Sequence, residues 1–90
     1  MIERIREAVR HGKLRFTAHS LDEMSDDELE SGDVERVILM GRVTRRFTRD
    51  PRGTRYEVKG YTEDGRRAGI VCRFVQDRVL LILTAYAGSD

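Results

Sequence analysis

Arg67-Ala68-Gly69-Ile70-Val71-Cys72-Arg73-Phe74-Val75-Gln76-Asp77-Arg78-Val79-Leu80-Leu81-Ile82-Leu83-Thr84-Ala85-Tyr86-Ala87 is the stretch that decides the fold. Ala68, Ile70, Cys72 and Phe74 alternate with Gly69, Val71 and Arg73, the period of a strand with one covered face. Gln76-Asp77 reads as a tight hairpin turn. Val79 to Leu83 is apolar at every position, which marks a central strand covered on both faces. The pattern continues upstream. Thr54 to Tyr61 reads as a strand between the turns Asp50-Pro51-Arg52-Gly53 and Thr62-Glu63-Asp64-Gly65, and Val43 to Thr48 reads as the strand before it.

Before Gly41 the period is helical. Ile2, Ile5 and Val9, with Ala8, share one face of a first helix that ends at His11-Gly12, where Gly12 suits a left-handed cap. Lys13-Leu14-Arg15-Phe16 reads as a short extended link. A second helix begins near Thr17 or Ala18 and breaks in the acidic stretch Ser25-Asp26-Asp27-Glu28. Thr17 or Ser20 is its cap, and Ser20-x-x-Glu23 has the capping-box form. A third helix covers about Gly32 to Met40, with Val34, Val37 and Ile38 on its core stripe, Ser31 or Asp33 as cap and Gly41 as stop. The expected fold is a single α+β domain over 1–90. Helices at about 2–40 pack on one face of a four-stranded antiparallel meander at about 43–87.

Ninety residues hold one small core. No apolar run approaches the length of a membrane span. The charged start, Met1 to Arg10, lacks the apolar region of a signal peptide, and the lone Cys72 has no internal disulfide partner, so a cytoplasmic protein is expected. The net charge of +1 hides an asymmetry. Residues 1–40 carry six basic against ten acidic side chains, and residues 41–90 carry eleven against six. Fifteen of the seventeen basic residues are Arg, which forms forked contacts to phosphate or carboxylate. A solvated Arg-rich surface gives the same composition. A basic second half also fits a phosphate-bearing ligand.

There is no phosphate-binding glycine loop, dinucleotide fingerprint or nucleophile elbow. One Cys and two His fall short of a zinc ligand set, so no metal or other cofactor is expected. His11, at a helix end, reads as a favourable cation there. His19 has two readings. It is a packed, backbone-satisfied ring, or it is a general acid or base, for which imidazole is suited near neutral pH. Arg55 and Tyr56 begin one strand, Arg73 lies on the polar side of the next, and Thr84 and Tyr86 share a face at the end of the last. Antiparallel order brings such strand ends together. Arginines with a Tyr there fit phosphate binding and charge stabilisation, and equally fit ordinary exposed Arg beside a Tyr at the core edge.

Together these residues resemble the domain-of-unknown-function family DUF4258, from about Phe16 to Tyr86. The matching pieces, in order, are Phe16-Thr17-x-His19-Ser20 with Met24 five residues after the His, Asp33-Val34, Gly41, Pro51 through Arg55-Tyr56, Gly65-Arg66 and Thr84-Ala85-Tyr86. The chain departs from that pattern at Glu23, where many relatives have Arg. It departs at Asp27-Glu28-Leu29-Glu30, where many have Arg-Gly-Ile-Ser. It also lacks a His near Gly69 or Ile70. The helix-then-sheet order is similar to RelE-like ribonuclease toxins. The resemblance therefore implies a RelE-like fold, an RNA substrate and a small zinc-finger antitoxin as partner. On that footing the expectation is a metal-independent endoribonuclease. His19, Arg73 and Tyr86 would be catalytic, and Arg55, Tyr56 and Thr84 would bind substrate. Glu23 or Glu57 could be the second acid–base group. The competing expectation is a non-catalytic protein- or nucleic-acid-binding module in which His19 is structural.

Overall fold

The computed structural model describes residues 1–88, the side chain of Asp77 apart; the sequence reads Gly88-Ser89-Asp90 as a frayed tail, of which Ser89 and Asp90 lie outside the described residues. Helix α1 (Ile2–Arg10) buries Ile5 and Ala8. It ends as its glycine foretells. Gly12 has φ 67, its N–H donates to the Val9 carbonyl, and the Lys13 N–H donates to Ala8, so two terminal carbonyls are satisfied.

The extended link is itself a strand, β1 (Leu14–Phe16). Helices α2 (Ala18–Asp26) and α3 (Ser31–Met40) follow. Then comes the meander β2 (Arg42–Phe47), β3 (Arg55–Tyr61), β4 (Arg67–Phe74) and β5 (Leu80–Ala87). A short 3-10 turn, Gln76–Arg78, joins β4 to β5. The sheet of the described residues is therefore five-stranded and mixed, in the order β1-β5-β4-β3-β2, rather than four-stranded and antiparallel. The correction has a physical cause. The backbone N–H and C=O groups on the free edge of β5 need partners, and β1 pairs with it in parallel, Leu14 opposite Leu80 and Phe16 opposite Ile82.

β1 covers only the first part of β5, and α2 closes the remainder. Thr17 caps α2, its Oγ1 accepting from the Ser20 N–H at 3.0 Å. Ser20 is buried within the first turn and donates back to the Thr17 carbonyl. The Ser20–Glu23 capping box does not form, because Glu23 points at the sheet. Its Oε1 accepts from the Ala85 N–H at 3.1 Å, and Asp27 Oδ2 accepts from the Ala87 N–H at 2.9 Å. The spacing makes this possible. Four residues of helix rise about 6 Å, and two residues of strand span about 6.6 Å. Two carboxylates one helical turn apart thus meet consecutive edge N–H groups and substitute for a neighbouring strand.

Glu30, rather than Ser31 or Asp33, is the N-cap of α3; its N–H donates to Asp33 Oδ2, and the helix buries Val34, Val37 and Ile38. The core lies between the helices and one sheet face: Ile5, Met24, Val37 and Ile38 against Tyr56, Val58, Ile70, Cys72, Leu80, Ile82 and Ala85. Burial pushes the Cys72 thiol up to about 12, which makes it an inert core group. No helix among the described residues is long and apolar enough to cross a membrane.

The turn after α2 carries backbone strain. Its Leu29 N–H donates to Met24 and its Glu28 N–H to Ser25, a closure that puts Glu28 in the left-handed region at φ 55. Arg66 holds the turn from across the molecule, donating to the carbonyls of Asp27 and Glu28. Glu28→Gly removes the Cβ from this conformation and is expected to stabilise the domain by about 1 kcal/mol. A thermal melt should rise by roughly 4–8 °C. A lowered melting temperature would mean that the Glu28 side chain contributes more than its backbone costs.

Candidate functional site

The other face of the sheet carries polar side chains in rows set by register. One row runs Tyr86, Gly69, Lys59, Arg42 across β5, β4, β3 and β2. The next runs Thr84, Val71, Glu57, Arg45. Helix α2 borders both rows at the β5 edge, and it brings His19 and Glu23 there.

His19 is exposed (side chain 70%), and its Nε2 lies 3.4 Å from Glu23 Oε2. The packed-ring reading therefore does not describe this His. Glu23 (side chain 29% exposed) divides its oxygens between two tasks, Oε1 on the Ala85 N–H and Oε2 on the imidazole. The hydrogen bond to the strand fixes the carboxylate, which lies within ion-pair distance of the ring.

Tyr86 lies flat over Gly69, its register partner. A Cβ at Gly69 would stand 2.5 Å from the Tyr86 hydroxyl, so a side chain there would push the phenol off this position. Burial pushes the Tyr86 pKa up. The charge of Glu57, a hydrogen bond with that carboxylate, and the charge of Glu23 push it the same way. Glu57 is itself held by the Thr44 hydroxyl, which donates to Oε1 at 2.8 Å. His19 with Glu23, and Tyr86 with Glu57, thus form two pairs that make up one group at this border, the charge of Glu23 reaching the phenol, which is neutral at neutral pH.

The raised Tyr86 pKa has a consequence for stability. The unfolded chain ionises this phenol first, near pH 10, while the folded chain still holds the proton. The stabilisation is fully present below that pH and is lost as pH rises through the folded value. The phenolate absorbance of the native protein minus that of Tyr86→Phe is expected to have its midpoint above about 10. A midpoint at or below 10 would mean that the carboxylates do not bear on the hydroxyl.

The remaining residues singled out from the sequence sort by face and row. Thr84 shares the open face with Tyr86. Arg73 is on that face opposite Leu81, beyond the Thr84 row. Arg55 lies at the β2–β3 hairpin, where its guanidinium stacks 5.0 Å from the Phe47 ring and its Nε is 3.5 Å from Asp50 Oδ2. The Asp50 carboxyl is held below the usual range by the Arg52 N–H and side chain, with Arg55 adding its charge. Tyr56 is buried on the core side. Its distance from the group follows from alternation, since neighbours in a strand face opposite ways. The cations in the Tyr86 row are Lys59 and Arg42, which sequence reasoning did not single out. The equivalent signal was the i, i+2 series Arg55, Glu57, Lys59, Tyr61, which sets one polar face of β3. Among the described residues no three His, Cys, Asp or Glu side chains gather in a metal-binding arrangement.

The fold and the group on its open face define a small α+β domain. Three helices cover one side of a five-stranded mixed sheet, and a polar side-chain cluster occupies the other. The chain belongs to the family described as Domain of unknown function (DUF4258), whose model matches residues 16–87, from the end of β1 to the end of β5. No curated protein and no solved structure matches the chain.

Proposed function

We propose that the protein is a metal-independent endoribonuclease acting as the toxin of a toxin–antitoxin pair. The observation that carries this reading is Glu23. It sets a carboxylate beside an exposed imidazole at the border of the sheet face that carries Tyr86, Lys59 and Arg42.

In this mechanism His19 takes the proton of an RNA 2′-OH. The freed oxygen attacks the adjacent phosphorus, and the P–O5′ bond breaks. One product ends in a 2′,3′-cyclic phosphate, and the departing O5′ takes a proton from water. Glu23 fixes the ring and stabilises the imidazolium that forms. Tyr86, whose phenolate is disfavoured by two carboxylates, keeps its proton and, when RNA binds, turns its single hydrogen bond from Glu57 to a phosphate oxygen. Arg73, beyond the Glu57 row on the same face, offsets the charge that develops on the phosphorane. The toxin role and a small zinc-finger antitoxin rest on the resemblance of the helix-then-sheet order to RelE-like toxins, an analogy of fold.

The test is incubation of mixed single-stranded RNA and of DNA of the same sequence with purified protein in EDTA. RNA fragments with cyclic phosphate and 5′-hydroxyl ends are expected, with DNA uncut. Intact RNA, or equal cutting of DNA, would overturn the reading.

A further inference from the structure

Beside Tyr86, at the end of the sheet near the α3 C-terminus, lies an open groove of about 490 Å³. Arg42, Lys59 and Arg67 line it together with Tyr61, Tyr86 and Met40, and no carboxylate does. Two features of this groove are costly for a folded domain in isolation. Arg42 and Lys59 are direct register partners on neighbouring strands, an arrangement of like charges that destabilises a sheet. Neither side chain has a hydrogen-bond or ion-pair partner among the described residues. In addition, Tyr61 and Met40 hold apolar surface in water, 56% and 70% exposed.

An anion between the two cations removes the first cost, and a planar apolar group against Tyr61 removes the second. A nucleotide supplies both, a phosphate and a base. We infer that this groove is a nucleotide subsite that binds the single-stranded RNA next to the phosphate held at Tyr86. Arg42 and Lys59 grip a flanking phosphate, and Tyr61 stacks the unpaired base. A duplex keeps its bases stacked on one another and cannot present one to Tyr61, so the subsite selects single strands. The inference deepens the ribonuclease reading and rests on it for the placing of the cut phosphate.

The experiment measures binding apart from cleavage. The probe is a fluorescent RNA 12-mer with 2′-O-methyl groups throughout, which has no attacking hydroxyl, read by anisotropy. Tyr61→Ala is expected to weaken binding about tenfold. The double change Arg42→Ala and Lys59→Ala should weaken it further and flatten its salt dependence. The same strand annealed to its complement should bind less tightly. Melting curves of the variants accompany the titrations; relief of the like-charge pair predicts that the double variant melts no lower than wild type. Unchanged affinity for both variants, or a preference for the duplex, would overturn the subsite. If the 12-mer binds in this Tyr61-dependent way and unmodified RNA is never cut, the subsite stands and the ribonuclease reading fails. If RNA is cut and Tyr61→Ala binds as wild type, the reverse holds.

Discussion

Gly41→Ala is expected to lower the unfolding free energy by about 3 kcal/mol. Gly41 ends α3 where the chain crosses β3. A Cβ there would lie within 3 Å of two backbone oxygens, the carbonyls of Lys59 and Val37. Backbone cannot rotate aside as a side chain can, so α3 or β3 must move. The junction is also tied from α1, since Arg6 donates to the Gly41 carbonyl at 2.9 Å and to the Ile38 carbonyl at 3.2 Å. A shift therefore disturbs the packing of three elements. The melting temperature should fall by more than about 10 °C. Gly32→Ala, in the same helix with open space around it, is the control and should melt no lower than wild type. An unchanged melt for Gly41→Ala would mean that the helix does not press on β3 so closely.

Tyr86→Phe is expected to reduce RNA cleavage roughly 10²-fold while leaving the fold intact. Phenylalanine keeps the ring over Gly69 and removes only the hydroxyl that would bond the phosphate oxygen. Near neutral pH the phenol is protonated, so its loss removes one hydrogen bond to Glu57, and the unfolding free energy should fall by no more than about 1.5 kcal/mol. Equal cleavage by both proteins would remove Tyr86 from the mechanism. Loss of cleavage together with a larger loss of stability would mark it as a structural residue.

The helices, the meander and the Gly12 cap were legible because each is a local pattern. Apolar period, a glycine after the last turn and turn residues between alternating runs are all written within a few neighbours. What the sequence hid is non-local. Leu14–Phe16 is too short for a period to show, and its partner β5 lies 66 residues away in register, Leu14 against Leu80. The Ser20–Glu23 spacing satisfied a capping rule, yet Thr17 already capped the helix, which left Glu23 for Ala85, 62 residues on. Of the residues singled out for the candidate site, Thr84 and Tyr86 lie on the open face and His19 at its border, and residue type and strand-end position point to them. Tyr56 was grouped with Arg55 by adjacency, although period two separates them. Arg42 and Lys59 were not seen as a pair because strand register decides which charges face each other, and a bulge between Val43 and Arg45 shifts that register.

In the proposed mechanism His19 moves a proton and does not hold the fold. The measurement to make is the cleavage rate of one single-stranded RNA in EDTA, for wild type and His19→Ala side by side, with both melts recorded. The variant is expected to cut more slowly by roughly 10²–10⁴, with stability within about 0.5 kcal/mol of wild type, as for an exposed side chain. An unchanged rate, or a loss of rate matched by a collapse of the melting temperature, would contradict that mechanism.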